Sequence, residues 1–159
     1  MTKDDLQKFC ADDDDIRYYL RQPWSAGEFS YATNGHILVH VPRLAYVPYN
    51  DKAPDAQALI DKTAPSKEWL PVPGVEMPPD VACTWCDGTG KDPNDRRCKC
   101  EECLGAKTMP DRSGIELAGT AFAKRYLAMI QGWEIAPNGQ KAAWIRHGDT
   151  LGLLMPMRM

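Results

Sequence analysis

Apolar positions recur with a helical period and then a strand period at the N-terminal end of the chain. Residues 2–12 are predicted to form an amphipathic helix with Thr2 as its N-cap and with Leu6, Phe9 and Cys10 on its buried face. Three strand-like runs follow, at residues 16–20, 28–32 and 36–41. The pair Asn34-Gly35 separates the last two runs and predicts a hairpin, because both central residues of a type I′ turn need a positive φ.

The C-terminal end of the chain repeats this order. A short strand is predicted at residues 114–117, followed by a helix at 121–131 with Thr120 as N-cap and Gly132 just after its end. The apolar stripe of this helix consists of Phe122, Tyr126, Leu127 and Ile130. Three further strands are predicted at residues 133–136, 142–147 and 151–156. Two halves of this kind, each a helix followed by a three-stranded meander, predict an α+β fold with helices packed on sheet.

The middle of the chain is rich in proline, since ten of the 13 prolines lie between Pro42 and Pro110. Apart from a short helix predicted at residues 55–63, this segment lacks long periodic patterns. We therefore expect residues 1–49 and 113–159 to form one domain and residues 50–112 to be an insertion in it.

Composition and charge narrow the class of protein. A hydrophobic fraction of 43% and five tryptophans indicate a packed core, and a net charge of −3 argues against a protein that coats nucleic acid non-specifically. The N-terminus lacks the basic and apolar regions of a secretory signal, and no apolar run reaches the roughly 18 residues of a membrane helix. We expect a cytoplasmic protein that does not bind membranes and whose thiols stay reduced.

Four cysteines form two CxxC pairs that predict a metal site. Cys83 and Cys86 belong to a CxxCxGxG motif, and Cys100 and Cys103 belong to a shortened copy, CxxCxG. Each CxxC turn brings two thiolates to one side of a loop, so two turns supply the tetrahedral ligand set of zinc. The glycines allow backbone N–H groups to approach the sulfurs. We predict one structural Zn²⁺, because four cysteines leave no coordination position open for catalysis.

Alternatives to this zinc site stay open at the level of sequence. Cys98 can replace Cys100 as a ligand, although the regular CxxC spacing favours Cys100. A redox dithiol would need a single pair near a βαβ pattern, and an iron–sulfur cluster is a further possibility. The CxxCxGxG repeats resemble the cysteine-rich domain of J-domain chaperones. That resemblance covers residues 83–107 and implies zinc binding.

Three segments outside the cysteines resemble the bacterial sliding clamp family, the processivity ring of DNA polymerase III. They are DIRYYL at residues 15–20, ATNGH at 32–36 and LMPMR at 154–158. The resemblance implies one clamp-like domain with an internal duplication, interrupted by a zinc-stapled insertion. In that family the hairpin and the C-terminal tail line an apolar pocket for short linear peptides. The positions that the resemblance assigns to such a pocket are Thr33, Gly35, His36, Leu38, Met155, Pro156, Met157 and Arg158. The alternative is that Met155 and Met157 only pack at the chain end.

These observations lead to an expected function. We expect a non-enzymatic zinc-binding module that binds a protein or a short linear peptide, as a DNA-replication-associated or a phage or prophage accessory protein. The alternative is a zinc-finger nucleic-acid-binding protein, because basic residues and Trp85 surround the cysteines. Acidic residues within 83–112 cancel that positive charge. An enzyme is not expected, because no HExxH motif, no Ser/His/Asp order and no phosphate-binding glycine loop is present.

Overall fold

A computed structural model describes residues 1–64 and 68–158 of the protein. An antiparallel sheet of seven strands forms the centre of the structure. The helices are α1 (Lys3–Gln7), α2 (Ala56–Lys62) and α3 (Lys124–Met129). The strands are β1 (Trp24–Ala26), β2 (Phe29–Thr33), β3 (Ile37–Pro42), β4 (Leu70–Pro71), β5 (Val81–Ala82), β6 (Thr108–Met109), β7 (Gly114–Leu117), β8 (Thr120–Ala123), β9 (Glu134–Asn138), β10 (Lys141–His147) and β11 (Thr150–Leu154). The fold is therefore α+β.

Two meanders meet in the middle of this sheet. Its order is β1-β2-β3-β11-β10-β9-β4, so the N-terminal and C-terminal meanders join where β3 pairs with β11 and Leu38 lies opposite Leu153. The pairs β5–β6 and β7–β8 form two small separate hairpin-like sheets. The sheet thus combines strands from both ends of the chain.

Helices cover the sheet on both faces, because alternate residues of a strand point to opposite sides. Residues of α1 and α3 pack with Val39, Ile145 and Leu154 in one core. Residues of α2 pack with Leu38 and Trp144 in the other core. Part of the proline-rich segment therefore packs on the sheet, through α2 on one face and through β4 at one edge.

The first helix and the first strand differ from the prediction. Thr2 caps α1 as expected, in a capping box with Asp5, but the helix ends at Gln7. The predicted strand at 16–20 is wrong, since a 3₁₀ turn spans Tyr18–Leu20 and Ile16 is 91% exposed. Local side-chain hydrogen bonds explain this turn, because the backbone N–H of Arg17 donates to the Asp15 carboxylate. The first strand is instead β1, which lies in a segment predicted to be a connection.

The second helix also begins later than predicted, at Lys124, because Thr120–Ala123 pairs with β7. Thr120 is therefore not its N-cap. The N-cap is Ala123, and the Thr120 hydroxyl donates to the carbonyl oxygen of Gly139 at 2.9 Å. The predicted apolar stripe of this helix is buried throughout.

Several local predictions are confirmed. A hairpin joins β2 and β3 at Asn34-Gly35, although only Gly35 has a positive φ, and the Asn34 side chain accepts the N–H of His36 and of Ile37 instead. The short helix α2 follows Asp55, whose carboxylate accepts the N–H of Ala58.

In the described part of the chain, no helix combines the length and the apolarity that crossing a bilayer requires.

Candidate metal centre and adjoining groove

Four buried thiols converge on one point, those of Cys83, Cys86, Cys100 and Cys103. Their sulfur atoms all lie within 4.8 Å of one another, and the Cys83–Cys100 and Cys86–Cys103 sulfur distances are 3.9 and 3.8 Å. A tetrahedral ion with bonds of about 2.3 Å to sulfur requires sulfur–sulfur distances of about 3.8 Å. The four side chains therefore fit a single tetrahedral metal ion.

Cys98 does not belong to this set. Its thiol is exposed and points to the carboxylate of Asp95 at 3.7 Å. Cys100, which the regular CxxC spacing favoured over Cys98, is the one in the cluster. Cys10 is buried in the core beside α1, as its place in the apolar pattern predicted.

The two CxxC loops have the same backbone conformation. Asp87 and Gly88 after the first pair have φ of +51° and +75°, and Leu104 and Gly105 after the second pair have +53° and +81°. The loops also exchange equivalent hydrogen bonds, from Cys83 N–H to the Lys107 carbonyl and from Cys100 N–H to the Gly90 carbonyl.

The second loop is complete in structure although it is shortened in sequence. Lys107 occupies the position of Gly90, and their φ values are +71° and +74°. Sequence reasoning missed this residue, because the second copy lacks the last glycine of the motif. We call residues 81–109, which include both loops and the β5–β6 pair, the cysteine module.

Within the cysteine module the thiolate form is stabilised at Cys86 and disfavoured at Cys100. Burial raises the pKa of the Cys86 thiol, but a hydrogen bond from Gly90 N–H at 3.2 Å and the other three thiols outweigh it, and the pKa falls to about 6. At Cys100, hydrogen bonds from the Cys103 and Glu102 N–H groups lower the pKa, but burial and the thiols of Cys103 and Cys86 outweigh them and raise the pKa to about 11. A thiolate is the form that binds a metal ion. Besides the four cysteines, the hydrophobic cluster of the module contains only the partly buried Met109, within the residues described.

The C-terminal tail forms the second feature of interest. After β11, the N–H of Met155 donates to the carbonyl of His36 at 2.9 Å, and the N–H of Met157 donates to the carbonyl of Ala121 at 2.8 Å. The tail thus connects the β2–β3 hairpin to β8. A cavity of about 560 Å³ lies along it, and we call this cavity the tail groove.

The residues that the clamp resemblance singled out lie around this tail. Six of them line the tail groove: Gly35, His36, Met155, Pro156, Met157 and Arg158. The other two, Thr33 and Leu38, line a neighbouring cavity of about 280 Å³ together with Met155. The structure therefore brings the eight positions to two adjoining cavities that share Gly35, His36 and Met155.

Sequence reasoning missed the other residues that line the tail groove. They are Pro110, Arg112, Ala123, Arg125 and Tyr126. Pro110 and Arg112 follow directly after the cysteine module, and the other three residues lie at the junction of β8 and α3. No local pattern marks these positions, because they meet only through the fold.

Arg17 holds the hairpin loop that forms part of the tail groove. Its guanidinium donates to both carboxylate oxygens of Asp15, at 3.0 and 2.8 Å, and to the carbonyl of Asn34 at 3.3 Å. These hydrogen bonds from Arg17 lower the pKa of Asp15 to about 2. The segment predicted as a strand therefore serves to position the hairpin loop.

Positive charge dominates the tail groove. Arg112, Arg125 and Arg158 line it, whereas its lining includes neither Asp nor Glu. Burial and the nearby Arg125 and Arg17 lower the pKa of His36, so this imidazole is neutral at pH 7. The protein thus combines a tetrathiolate site with an open groove that is lined by apolar side chains and three arginines.

Scans against protein-family models, curated proteins and solved structures found no match.

Proposed function

We propose that the protein is a zinc-stapled, non-enzymatic interaction module that binds a short linear segment of a partner protein in the tail groove. The observation that carries this proposal is the meeting of the C-terminal tail and the hairpin loop around an open cavity of about 560 Å³. Cavities of about 300–1,000 Å³ with apolar walls and a few polar groups are typical binding sites.

The chemistry of the groove suits an extended peptide. Met155 is 46% exposed between two cavities, and a flexible thioether adapts its shape to different side chains. Two adjoining cavities can accept two side chains of one peptide, and the arginines can bind its polar groups. The resemblance to sliding clamps supports the same use of these positions. On that basis we propose a partner among replication proteins and a role as a replication accessory protein, of cellular, phage or prophage origin.

In this proposal the metal ion is Zn²⁺ and its role is structural. Four thiolates in a tetrahedron are the ligand set that zinc prefers, and they leave no coordination position for a substrate. Elemental analysis of the purified protein tests the metal. We expect about one zinc per chain, and we expect Cys83→Ser to lose it, while Cys98→Ser keeps it.

Selection from a displayed library of random hexapeptides tests the binding function. Synthetic peptides that the protein enriches are expected to lose binding to the variant Met155→Glu, because a carboxylate would replace the exposed thioether between the two cavities. Met77→Glu is the matched control, since Met77 is 58% exposed and lines neither cavity. The proposal fails if no peptide is enriched, or if the two variants bind enriched peptides equally well.

A single-stranded nucleic acid is the alternative ligand, and one observation favours it. Trp85 is 55% exposed and lines a cavity of about 300 Å³ together with Lys91 and Arg96, a combination suited to base stacking beside a phosphate. Asp87 and Asp92 line the same cavity and oppose this use. An electrophoretic shift of single-stranded DNA that increases at low salt and disappears in Trp85→Ala would support the alternative.

A further inference from the structure

Within residues 1–64 and 68–158, no acidic side chain forms an ion pair with the arginines that line the tail groove. These arginines are Arg112, Arg125 and Arg158. Arg125 donates to the phenol oxygen of Tyr126 at 2.6 Å, which is a neutral partner. Three arginines on one concave surface create a positive potential that favours a negatively charged ligand.

The carboxylate nearest to Arg112 in sequence does not neutralise it. Asp111 accepts the backbone N–H of Ser113 at 2.6 Å, and hydrogen bonds from Ser113, together with the charge of Lys124, lower the pKa of this carboxyl. Asp111 does not line the tail groove. The arginines are therefore available to a carboxylate of a partner.

Arg112 reaches the groove from a short connection that begins at the metal site. Met109 is the last residue of β6 and packs against the four cysteines, and the next residue, Pro110, already lines the tail groove. Beyond Arg112, the carbonyl of Ser113 accepts the N–H of Lys124, and β7 begins. Residues 110–112 are thus held at one end by the cysteine module and at the other by the β7–β8 pair.

We propose that metal binding in the cysteine module holds Arg112 on the wall of the tail groove and thereby sets the affinity of the groove for a peptide that carries Asp or Glu. This inference rests on the proposed peptide-binding function. The occupant is a short segment that places an apolar side chain beside Met155 and a carboxylate beside the arginines. Charge complementarity selects it, because the lining offers three guanidinium groups and no acidic side chain.

Metal binding can control the position of Arg112 because few other interactions order the cysteine module. Its hydrophobic cluster comprises four cysteines and the partly buried Met109, and its one sheet has two residues in each strand. Without the metal ion these groups cannot hold the loops together, so the connection at residues 110–112 loses one of its two anchors. The coupling is reciprocal. An acidic peptide must therefore raise the affinity of the protein for zinc by the same factor by which zinc raises the affinity for the peptide.

Peptide affinities of the full chain, measured by fluorescence polarisation, test the inference. The probes are the hexapeptide that zinc-loaded protein enriches most from the random library and its derivative with Asn or Gln in place of Asp or Glu. We expect the acidic probe to bind about fivefold more tightly than its neutral derivative, as for one partly exposed ion pair. Chelation of zinc, or the substitution Arg112→Gln in zinc-loaded protein, should each remove that advantage. Arg96→Gln is the matched control, because Arg96 is exposed in the same module and lines a different cavity.

The outcomes separate this inference from the function on which it rests. If no peptide binds, the proposed function fails and the inference fails with it. If peptides bind but the most enriched one carries neither Asp nor Glu, or if the acidic probe and its neutral derivative bind equally, the inference alone is refuted. It is also refuted if Arg112→Gln does not change the affinity of zinc-loaded protein for the acidic probe. A third refuting result is that chelation lowers the affinity for the acidic probe as much in Arg112→Gln as in the unmodified chain. The Arg112→Gln comparison needs no metal-free protein, so it decides the role of Arg112 even where chelation unfolds the module.

Discussion

Removal of the metal ion is expected to unfold the cysteine module and leave the seven-stranded sheet intact. Within the described residues, the two cores on the faces of the sheet contain no side chain of residues 81–109. Conversely, Ile60 of α2 and Val72 just after β4 lie in those cores although they belong to the proline-rich segment. The boundary of unfolding should therefore lie after residue 72 and not at residue 50.

The magnitudes favour this division. The cysteine module buries four cysteines and part of Met109, which contribute about 1 kcal/mol each, or about 5 kcal/mol together. A structural zinc ion contributes about 10–16 kcal/mol at pH 7, which is two to three times as much. Loss of the metal thus removes the interaction that stabilises the loops most, while the burial that stabilises the sheet does not change.

Hydrogen–deuterium exchange with and without a chelator measures this effect. The N–H groups of Cys83 and Cys100, which bond to carbonyls of the opposite loop, should lose their protection, whereas peptides from β3 and β11 should keep theirs. Cys83→Ser should give the same pattern in the presence of zinc, and Cys98→Ser should not, since its thiol is exposed and outside the cluster. Simultaneous loss of protection in module and sheet would refute the reasoning, and so would a metal-free module that stays protected.

Three further predictions concern stability, each measured by chemical denaturation. Gly152→Ala should destabilise the fold by about 3 kcal/mol or more, because the new Cβ would overlap the carbonyl oxygen of Leu38 at the β3–β11 junction. The control is Gly74→Ala, which should change the stability little because Gly74 is in an open position. Lys107→Gly should stabilise the zinc-loaded module by up to about 1 kcal/mol, because it relieves a positive φ, and a destabilised variant would contradict this. Burial lowers the pKa of His40 below its ordinary value of 6.5. Below pH 6.5 the unfolded chain therefore takes up a proton at His40 more readily than the folded protein does. The free energy of unfolding should fall as the pH drops below 6.5. An equal pH dependence in His40→Phe would show that His40 is not the cause.

Features set by a few adjacent residues could be predicted from the sequence. The metal ligands follow from the spacing of two CxxC pairs, and their four sulfurs do converge. The cap of α1 at Thr2 and the hairpin at Asn34-Gly35 depend on one or two side chains each, and both are present. In these cases the physical cause lies within the pattern itself.

Features that depend on distant parts of the chain could not be predicted. Residues 16–20 carry the aromatic and β-branched composition of a strand, but the Asp15–Arg17 pair and the contact of Arg17 with Asn34 favour the 3₁₀ turn at Tyr18–Leu20 instead. Likewise, β8 replaces the first turn of the predicted helix because β7 is beside it to pair with. The arginines of the tail groove belong to this class, since Arg112 and Arg125 line one cavity only after the cysteine module and α3 are in place.

The two methionines of the tail, Met155 and Met157, differ in their roles, so neither pocket lining alone nor packing alone describes both. Met157 packs at Gly114, where a side chain on β7 would collide with its sulfur, and its N–H bonds to Ala121, so Met157 fastens the tail to the β7–β8 pair. Met155 is nearly half exposed between the two cavities. A charge at Met157 would therefore disturb the attachment of the tail as well as the groove. A charge at Met155 would change the groove while the tail keeps its hydrogen bonds, and Met155→Glu is for this reason the substitution that separates ligand binding from folding.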